Sequence, residues 1–346
     1  MEIGFNWSQY IQQQKDAILE RMTHFEHRLY LEVGGKLLYD GHASRVLPGF
    51  DPTSKEKIFA ALFDTMDMIF CINYDDIVHN RQLVKEDVDY TTHVVKMLSE
   101  IEAKVGIKPF ISCNKCPREW FDNSVSHFLA QLQDVGYATY KRYMIQWYPH
   151  ETMLVLSDQW YGYDDYIPCT SSLVLVTGAA SNSGKMSTCL GQVYHEHTRG
   201  QDSGYAKYET FPIWNIPLKH PINLAYEAAT ADIEDYNMID TYHKAAYGID
   251  AVNYNRDVEW FDIVKRLADA FLPEMNYTRH YKSPTDMWIS KAWFSITDDK
   301  VCCDASLSEI CRRANEYQWM VDRWDGKQSW VEKCKELEKE CLEYKA

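Results

Sequence analysis

Leu173-Val174-Leu175-Val176-Thr177-Gly178-Ala179-Ala180-Ser181-Asn182-Ser183-Gly184-Lys185-Met186-Ser187-Thr188 is the stretch on which the reading of this chain turns. Leu173–Thr177 is uncharged and rich in valine and leucine, the signature of a strand buried on both faces. A glycine-bearing loop follows it, and Met186–His197 reads as a helix. Strand, glycine-lysine loop and helix, in that order, form the context of a phosphate-binding loop. There the amides of the loop and of the helix N-terminus wrap an anion, a lysine meets the outer phosphates and a hydroxyl holds magnesium. Two positions depart from the G-x-x-x-x-G-K-[ST] pattern. Ala179 stands at the first glycine, with Gly178 one residue early, and Met186 stands at the metal hydroxyl. Thr188 follows Lys185 by nearly one helical turn and can face the same pocket, whereas Ser187 is rotated away by about 100°. Ser183, Gly184, Lys185 and Thr188 are therefore the expected cofactor contacts. A plain strand–turn–helix is the alternative.

Strand and helix patterns alternate on either side of this loop. Residues 8–28 carry an apolar stripe (Ile11, Ile18, Met22, Phe25) and read as a helix, and Leu29–Val33 as a strand ending at Gly34-Gly35. Met66–Asn73, Lys108–Cys113 and Ala138–Tyr148 read as strands, and Tyr90–Val105 and Asn123–Val135 as helices. This order predicts an α/β fold, a parallel or mixed sheet covered by helices. Residues 1–160 are read as an α/β domain and 161–315 as a P-loop-like α/β segment with a polar, aromatic-rich helical insertion. That insertion, 211–257, has a helical stretch around Asn223–Ile233. Residues 316–346 are read as an amphipathic helix. Its stripe of Trp330, Cys334, Leu337, Cys341 and Tyr344 is expected to dock on the body or on a partner, which offers a route to a homo-oligomer.

Composition narrows the function classes. The chain has 346 residues, 46% of them hydrophobic, and a formal charge of -15, enough for a sizeable core and too acidic a surface for nucleic acid or anionic membranes as default partners. A small-molecule substrate is the expected partner. The N-terminus lacks an apolar signal core, no run approaches the roughly 18 apolar residues of a membrane span, and the cytoplasm is the expected compartment. Ten cysteines are scattered without a disulfide framework.

No metal site is expected. His195-Glu196-His197 places two imidazoles about 200° apart on a helix, where they cannot share an ion, and a helix-end cap or polar contact suits them better. Cys113-Asn114-Lys115-Cys116 has no second cysteine pair to complete a zinc site. Lys36, His42 and Arg45 follow the first strand in a glycine-flanked loop, where open α/β sheets bind ligands, so they read either as anion contacts or as internal ion pairs. Lys207, Glu209, Lys219, His220, Glu227 and Asp232, with Asn215, Asn253, Asn255, Arg256 and Asp257, read either as a site able to supply acid, base and anion contacts or as a satisfied buried network.

Several stretches together resemble one known family. They are Leu29-Tyr30-Leu31-Glu32, Gly34-Gly35-Lys36-Leu37, His42-Ala43-Ser44-Arg45-Val46-Leu47-Pro48-Gly49-Phe50, Ser183-Gly184-Lys185-Met186, Tyr194-His195-Glu196-His197 and Gly204-Tyr205-Ala206-Lys207. Further along come Glu209-Thr210-Phe211-Pro212-Ile213-Trp214-Asn215, Pro217-Leu218-Lys219-His220-Pro221, residues 225–232, Val252-Asn253-Tyr254-Asn255-Arg256-Asp257 and Lys282-Ser283-Pro284-Thr285-Asp286-Met287. Over roughly residues 5–315 the chain resembles uncharacterised protein family 0371, also called domain of unknown function 1846. The resemblance implies an α/β fold, and a further C-terminal domain in family members beyond the length of this chain. It implies no particular reaction.

The expected function is a nucleotide- or phosphate-dependent enzyme on a small polar metabolite, of ligase or phosphotransferase type, using ATP or another nucleotide with or without magnesium. Ser183, Gly184 and Lys185 would cradle phosphates, with Thr188 and Asp232 near the metal. Lys36, His42, Arg45, Asn215, Lys219, Asn253, Asn255 and Arg256 would hold substrate, and His195, His220, Lys207 and Asp232 would supply catalytic groups. Two alternatives stand beside it. One is an enzyme whose loop holds a phosphorylated substrate without nucleotide hydrolysis. The other is a non-catalytic nucleotide or metabolite sensor.

Overall fold

Hydrophobic residues without alternation make strands that are covered on both sides, and this chain builds its sheet from such strands. The structure is a computed structural model and describes residues 2–62, 64, 66–83, 88–144, 161–323 and 326–345. The strands are β1 (Arg28–Val33), β2 (Met66–Asn73), a small hairpin of β3 (Gln82–Leu83) and β4 (Val88–Asp89), β5 (Phe110–Cys116), β6 (Thr139–Tyr143), β7 (Leu173–Gly178), β8 (Ser203–Tyr208), a second small pair of β9 (Asn237–Ile239) and β10 (Val252–Tyr254), and β11 (Trp288–Ile289). Seven of them form one sheet in the order β11-β8-β1-β7-β2-β5-β6. Every pairing in it is parallel.

Successive side chains point to opposite faces of a strand, and the core divides accordingly. Leu29, Leu31, Leu173, Leu175, Met68 and Phe70 pack with the helices Trp7–Met22, Ser54–Ala60, Tyr90–Val105 and Asn123–Asp134. Tyr30, Val174, Val176, Ile69 and Cys71 pack against Cys189, Leu190 and Val193 of the helix Lys185–Thr198, and with Phe261, Val264 and Leu267 of the helix Asn255–Phe271. Three of the four first-face helices start at carboxylate or amide caps: Asn6, Asp89 and Asp122 accept from Gln9, Thr92 and Ser124 main-chain N–H groups.

Strand order positions the site. The chain runs from β1 over to β2 and on to β5 and β6, then returns to place β7 between β1 and β2. From β7 it runs the opposite way, past β1 to β8. Neighbouring strands whose onward connections diverge leave a crevice at their carboxyl ends. The loop 178–184 lies there.

The observed elements match the α/β expectation and correct several of its details. The first helix ends at Met22, not 28, and Phe25 is buried in the turn that follows. The strand expected at 138–148 runs over Thr139–Tyr143, and 145–148 lie outside the described residues. Strands from both sides of the expected 160/161 boundary share one sheet. The tail is two helices, Asp299–Arg323 and Gln328–Lys345, so the expected start at 316 falls inside the first. Val331, Cys334, Leu337 and Cys341 are buried and belong to the core of this chain. Of the expected stripe, Cys334, Leu337 and Cys341 are thus used internally, while Tyr344 is 44% exposed. No helix among the described residues is long and apolar enough to cross a membrane.

Candidate functional site

Two glycines shape the loop. A Cβ at Gly178 would fall 2.1 Å from Ser183 Oγ and 2.9 Å from the Cys71 carbonyl oxygen. Gly184 holds φ +85°, the left-handed conformation glycine adopts without strain, and a Cβ there would lie 2.9 Å from Asn114 Nδ2. Asn114, at the carboxyl end of β5, is the loop's clasp. Its Nδ2 donates to the Ser183 carbonyl at 2.6 Å, and its Oδ1 accepts from Thr188 Oγ1 at 3.2 Å and Ser112 Oγ at 3.0 Å. Thr188 is fully buried, and its hydroxyl can donate to Asn114 Oδ1 or the Gly184 carbonyl (3.0 Å) and accepts from Cys71 Sγ at 3.5 Å. Thr188 is thus a clasp residue turned away from the loop's open side, and its expected place near magnesium is corrected.

The helix Lys185–Thr198 begins without a side-chain cap. The main-chain N–H groups of Lys185, Met186 and Ser187 make no hydrogen bond among the described residues, and Lys185 has no ion-pair partner there. Arg256 reaches the loop from the helix Asn255–Phe271. Its Nη1 is 3.4 Å from Asn182 Oδ1, and its guanidinium is paired with buried Asp235. The loop's open side thus carries partial positive charge from the helix terminus, one ammonium and one guanidinium.

Beside the loop, at the carboxyl ends of β1 and β8, lies a buried charged cluster. Glu32 of β1 pairs in register with Val176 of β7 on one side and Lys207 of β8 on the other. Lys207 Nζ donates to both oxygens of Asp257, at 2.6 and 2.7 Å, and to the Tyr254 hydroxyl. Trp288 Nε1 donates to Asp257 Oδ2 at 2.8 Å, and the Tyr205 hydroxyl to Glu32 Oε2 at 2.8 Å. Glu209 stands 3.8 Å from Lys207 Nζ, and its Oε1 accepts from the Tyr254 hydroxyl at 3.0 Å. Its Oε2 meets no donor among the described residues. Burial raises the Glu209 pKa from 4.5 to about 7. Lys207 opposes that rise, while Asp257 and Glu32 add to it. Burial would lower the Lys207 ammonium, but Asp257, Glu32 and Glu209 together raise it above its ordinary value. Gly34 makes room for this carboxylate, since a Cβ there would meet Glu209 Oε2 at 2.3 Å. Such a pairing of a permanent cation with a carboxyl that titrates near neutrality suits proton transfer.

The expected residues divide between this place and others. Ser183, Gly184, Lys185, Lys207 and Arg256 converge on it. Asn255 holds the Tyr236 main chain through Oδ1 at 3.2 Å, and Asn253 holds Thr285 Oγ1 at 3.2 Å. Both are buried positioning groups for the neighbouring segment. Asn215 is half-buried, with an Oδ1 that has no partner. Lys36 is exposed, and Lys219 is exposed and paired with Glu340. His42 and Arg45 do not face an anion site: both bind the buried carboxylate of Glu309, at 3.3 and 2.7 Å. Asp232 accepts from the Tyr317 hydroxyl at 3.0 Å, toward the helix Asp299–Arg323. His220 caps the helix Pro221–Ala229 and meets Asp299 at 3.1 Å.

His195 lies in the last turn of its helix, ten residues or about 15 Å from Lys185, beside a separate cavity of about 300 Å³ with Asp164, Tyr166 and Tyr194. Burial, with Arg142 and Arg199, lowers its pKa to about 4. Glu196 of the same triplet points inward to Arg28 (2.8 Å) and Tyr30 (2.8 Å). Cys113 and Cys116 are buried free thiols, with Cys116 Sγ on the Cys113 carbonyl at 3.2 Å.

Glu32 and Tyr254 are candidate-site residues that the sequence reading left without a role, and Glu209 and Asp257 were named there only as members of a polar block. The only local sign was that an otherwise buried run, Ser203–Tyr208, carries a lysine and is followed by a glutamate.

A family model described as "Domain of unknown function DUF1846, N-terminal" matches residues 3–341. The chain is 42% identical over 314 residues to a UPF0371 protein of Fusobacterium nucleatum subsp. nucleatum, covering 90% of this chain and 60% of that one. It is 41% identical over 314 residues to a UPF0371 protein of Clostridium botulinum (Type A), covering 91% and 61%, and 40% identical over 320 residues to one of Streptococcus equi subsp. equi, covering 92% and 63%. The chain thus spans about 60% of the length of these relatives. The chain belongs to the UPF0371 family and carries the N-terminal domain of DUF1846.

Proposed function

We propose that this chain is the phosphate-binding part of an enzyme acting on a small polar metabolite, with the loop 178–184 holding a phosphoryl group and the Lys207–Glu209 cluster moving a proton beside it. The observation that carries this reading is the uncapped helix N-terminus at Gly184-Lys185, after β7, with only β1 between that strand and the one that ends at a carboxyl whose pKa is about 7. A positively polarised helix end stabilises an anion, and a group titrating near neutrality both takes and returns a proton at modest cost. The phosphoryl group belongs either to ATP or another nucleotide, as in a ligase or phosphotransferase, or to the substrate itself. The second source is favoured by one detail. Met186 stands where a magnesium hydroxyl is usual, and the Thr188 hydroxyl is held by Asn114 and Gly184, so neither of these two helix positions offers a free hydroxyl to a nucleotide-bound metal.

Calorimetric titration with inorganic phosphate, pyrophosphate, ATP, ADP and GTP, each with and without magnesium, tests the reading. Saturable 1:1 binding of a phosphate compound, lost in Lys185→Ala, supports it. Magnesium-dependent tightening of ATP alone favours the nucleotide source. Absence of binding for the whole panel removes the proposal. Binding without turnover in the full-length protein leaves a sensor.

A further inference from the structure

Asp299 and Cys303 are four residues apart on the helix Asp299–Arg323, so their side chains share one face. His220 meets that face from the N-cap of the helix Pro221–Ala229. Its Nε2 is 3.4 Å from Asp299 Oδ2 and 3.8 Å from Cys303 Sγ, and Cys303 Sγ is 3.7 Å from the same Asp299 Oδ2. Zinc–ligand lengths of about 2.0 Å to nitrogen or oxygen and 2.3 Å to sulfur, at tetrahedral angles, require edges of about 3.3 Å between nitrogen and oxygen and about 3.6 Å from sulfur to either. The three donors already stand within a few tenths of an ångström of those edges. His220 and Cys303 are 2% and 5% exposed, whereas the Asp299 side chain is 51% exposed. The fourth vertex therefore opens to solvent.

We propose that Asp299, Cys303 and His220 form a divalent-metal site of zinc type, with water or a small anion as the fourth ligand. It stands apart from the phosphate-loop reading and holds whether or not that reading does. Thiolate plus imidazole selects zinc over magnesium or calcium. The site would tie the start of one long helix to the end of the 211–220 segment.

Protons must balance. In the metal-free chain His220 Nδ1 accepts from the Ile222 N–H at 3.3 Å, so Nε2 carries the imidazole proton and faces Asp299. Burial, reinforced by Asp299, pushes the Cys303 thiol up to about 12. Metal entry displaces the thiol proton to solvent and moves the imidazole proton from Nε2 to Nδ1, which breaks the Ile222 contact. That contact is one long helix cap, far weaker than bonds from a metal to a thiolate and an imidazole, so the exchange favours the metal. One proton leaves per ion bound.

Cobalt(II) titration of the metal-stripped chain reads this directly. One equivalent should produce intense four-coordinate visible bands and a thiolate-to-cobalt charge-transfer band, both abolished by stoichiometric zinc. Cys303→Ser should remove the charge-transfer band. Asp299→Asn, a half-exposed change that spares the fold, should weaken binding at least tenfold, and Cys311→Ser, at a partly exposed thiol elsewhere, should change nothing. Absence of a 1:1 cobalt spectrum, survival of its charge-transfer band in Cys303→Ser, undiminished affinity in Asp299→Asn, or its loss in Cys311→Ser would each overturn the site.

Discussion

Lys207 and Asp257 form a two-point ion pair in the interior, Nζ to Oδ1 2.6 Å and to Oδ2 2.7 Å, with each side chain 5% exposed. Trp288 and Tyr254 complete the hydrogen bonding around it. Removing one member of such a pair strands the other, at about 3–5 kcal/mol, whereas replacing both by apolar groups of similar volume is often close to neutral. Asp257→Asn should therefore lower the unfolding free energy from urea titration by that amount, and Lys207→Met combined with Asp257→Leu should cost less than Asp257→Asn alone. Equal and additive losses would mean that the pair is not coupled.

Glu209 gives stability a pH slope of unusual sign for a carboxylate. Its pKa is about 7 in the folded chain against 4.5 when exposed. Between these values the folded state binds more protons than the unfolded state, so this group's contribution falls as pH rises from about 4.5 through 7 and is flat above that. Glu209→Gln should remove the slope. Urea midpoints measured at intervals across that window for both proteins check it, and identical profiles would show that Glu209 is ionised throughout.

At Glu309 the sign is the reverse. Its carboxylate is buried, which alone would raise its pKa, yet hydrogen bonds from Arg312, His42 and Arg45 outweigh burial and hold it well below the usual range. The stability it contributes is present above the unfolded value near 4.5 and is lost as pH falls below it. Glu309→Gln leaves Arg45, Arg312 and Arg313 around a neutral amide and should cost about 3–5 kcal/mol. A change under about 0.5 kcal/mol, the scale of ordinary surface substitutions, would show that the arginines rely on solvent instead.

These ion networks also mark what could be read from the sequence. β2 and the helix Tyr90–Val105 were legible to the residue, because each carries an uninterrupted buried run or a single apolar stripe. β8 was not, because Gly204 and Lys207 break the pattern: Gly204 gives its Cβ space to the Phe25 ring, and Lys207 is buried through Asp257. The helices Asn255–Phe271 and Asp299–Arg323 were hidden by dense charge, most of it paired or facing water. The loop's lysine was visible, but the role of Thr188 was not. Sequence spacing placed its hydroxyl toward the pocket, while the partner that turns it inward, Asn114, comes from a strand more than seventy residues away. His42 and Arg45 failed for the same reason, since Glu309 is remote in sequence.

The loop itself separates binding from stability, and three substitutions distinguish the two. Lys185 is partly exposed at the mouth of the loop and has no ion-pair partner among the described residues, so Lys185→Ala should leave the thermal midpoint within experimental error. It removes an ammonium at the mouth of the loop, and a charge-assisted contact of this kind is worth about 1.5–3 kcal/mol. Affinity for the best phosphate compound should then fall by roughly ten- to a hundredfold. Thr188→Val keeps the shape of the side chain but leaves Asn114 Oδ1 without one of its two donors, so it should cost about 1–3 kcal/mol of stability. Its effect on affinity should be small, because the hydroxyl faces away from the loop's open side. His220→Ala, far from the loop, should lower the thermal midpoint through the lost cap and leave phosphate affinity unchanged. Calorimetry and thermal melts on these three variants decide the assignment. If Lys185→Ala binds phosphate as well as the parent chain while Thr188→Val does not, the anion is held on the Asn114 side and the site must be redrawn around that clasp.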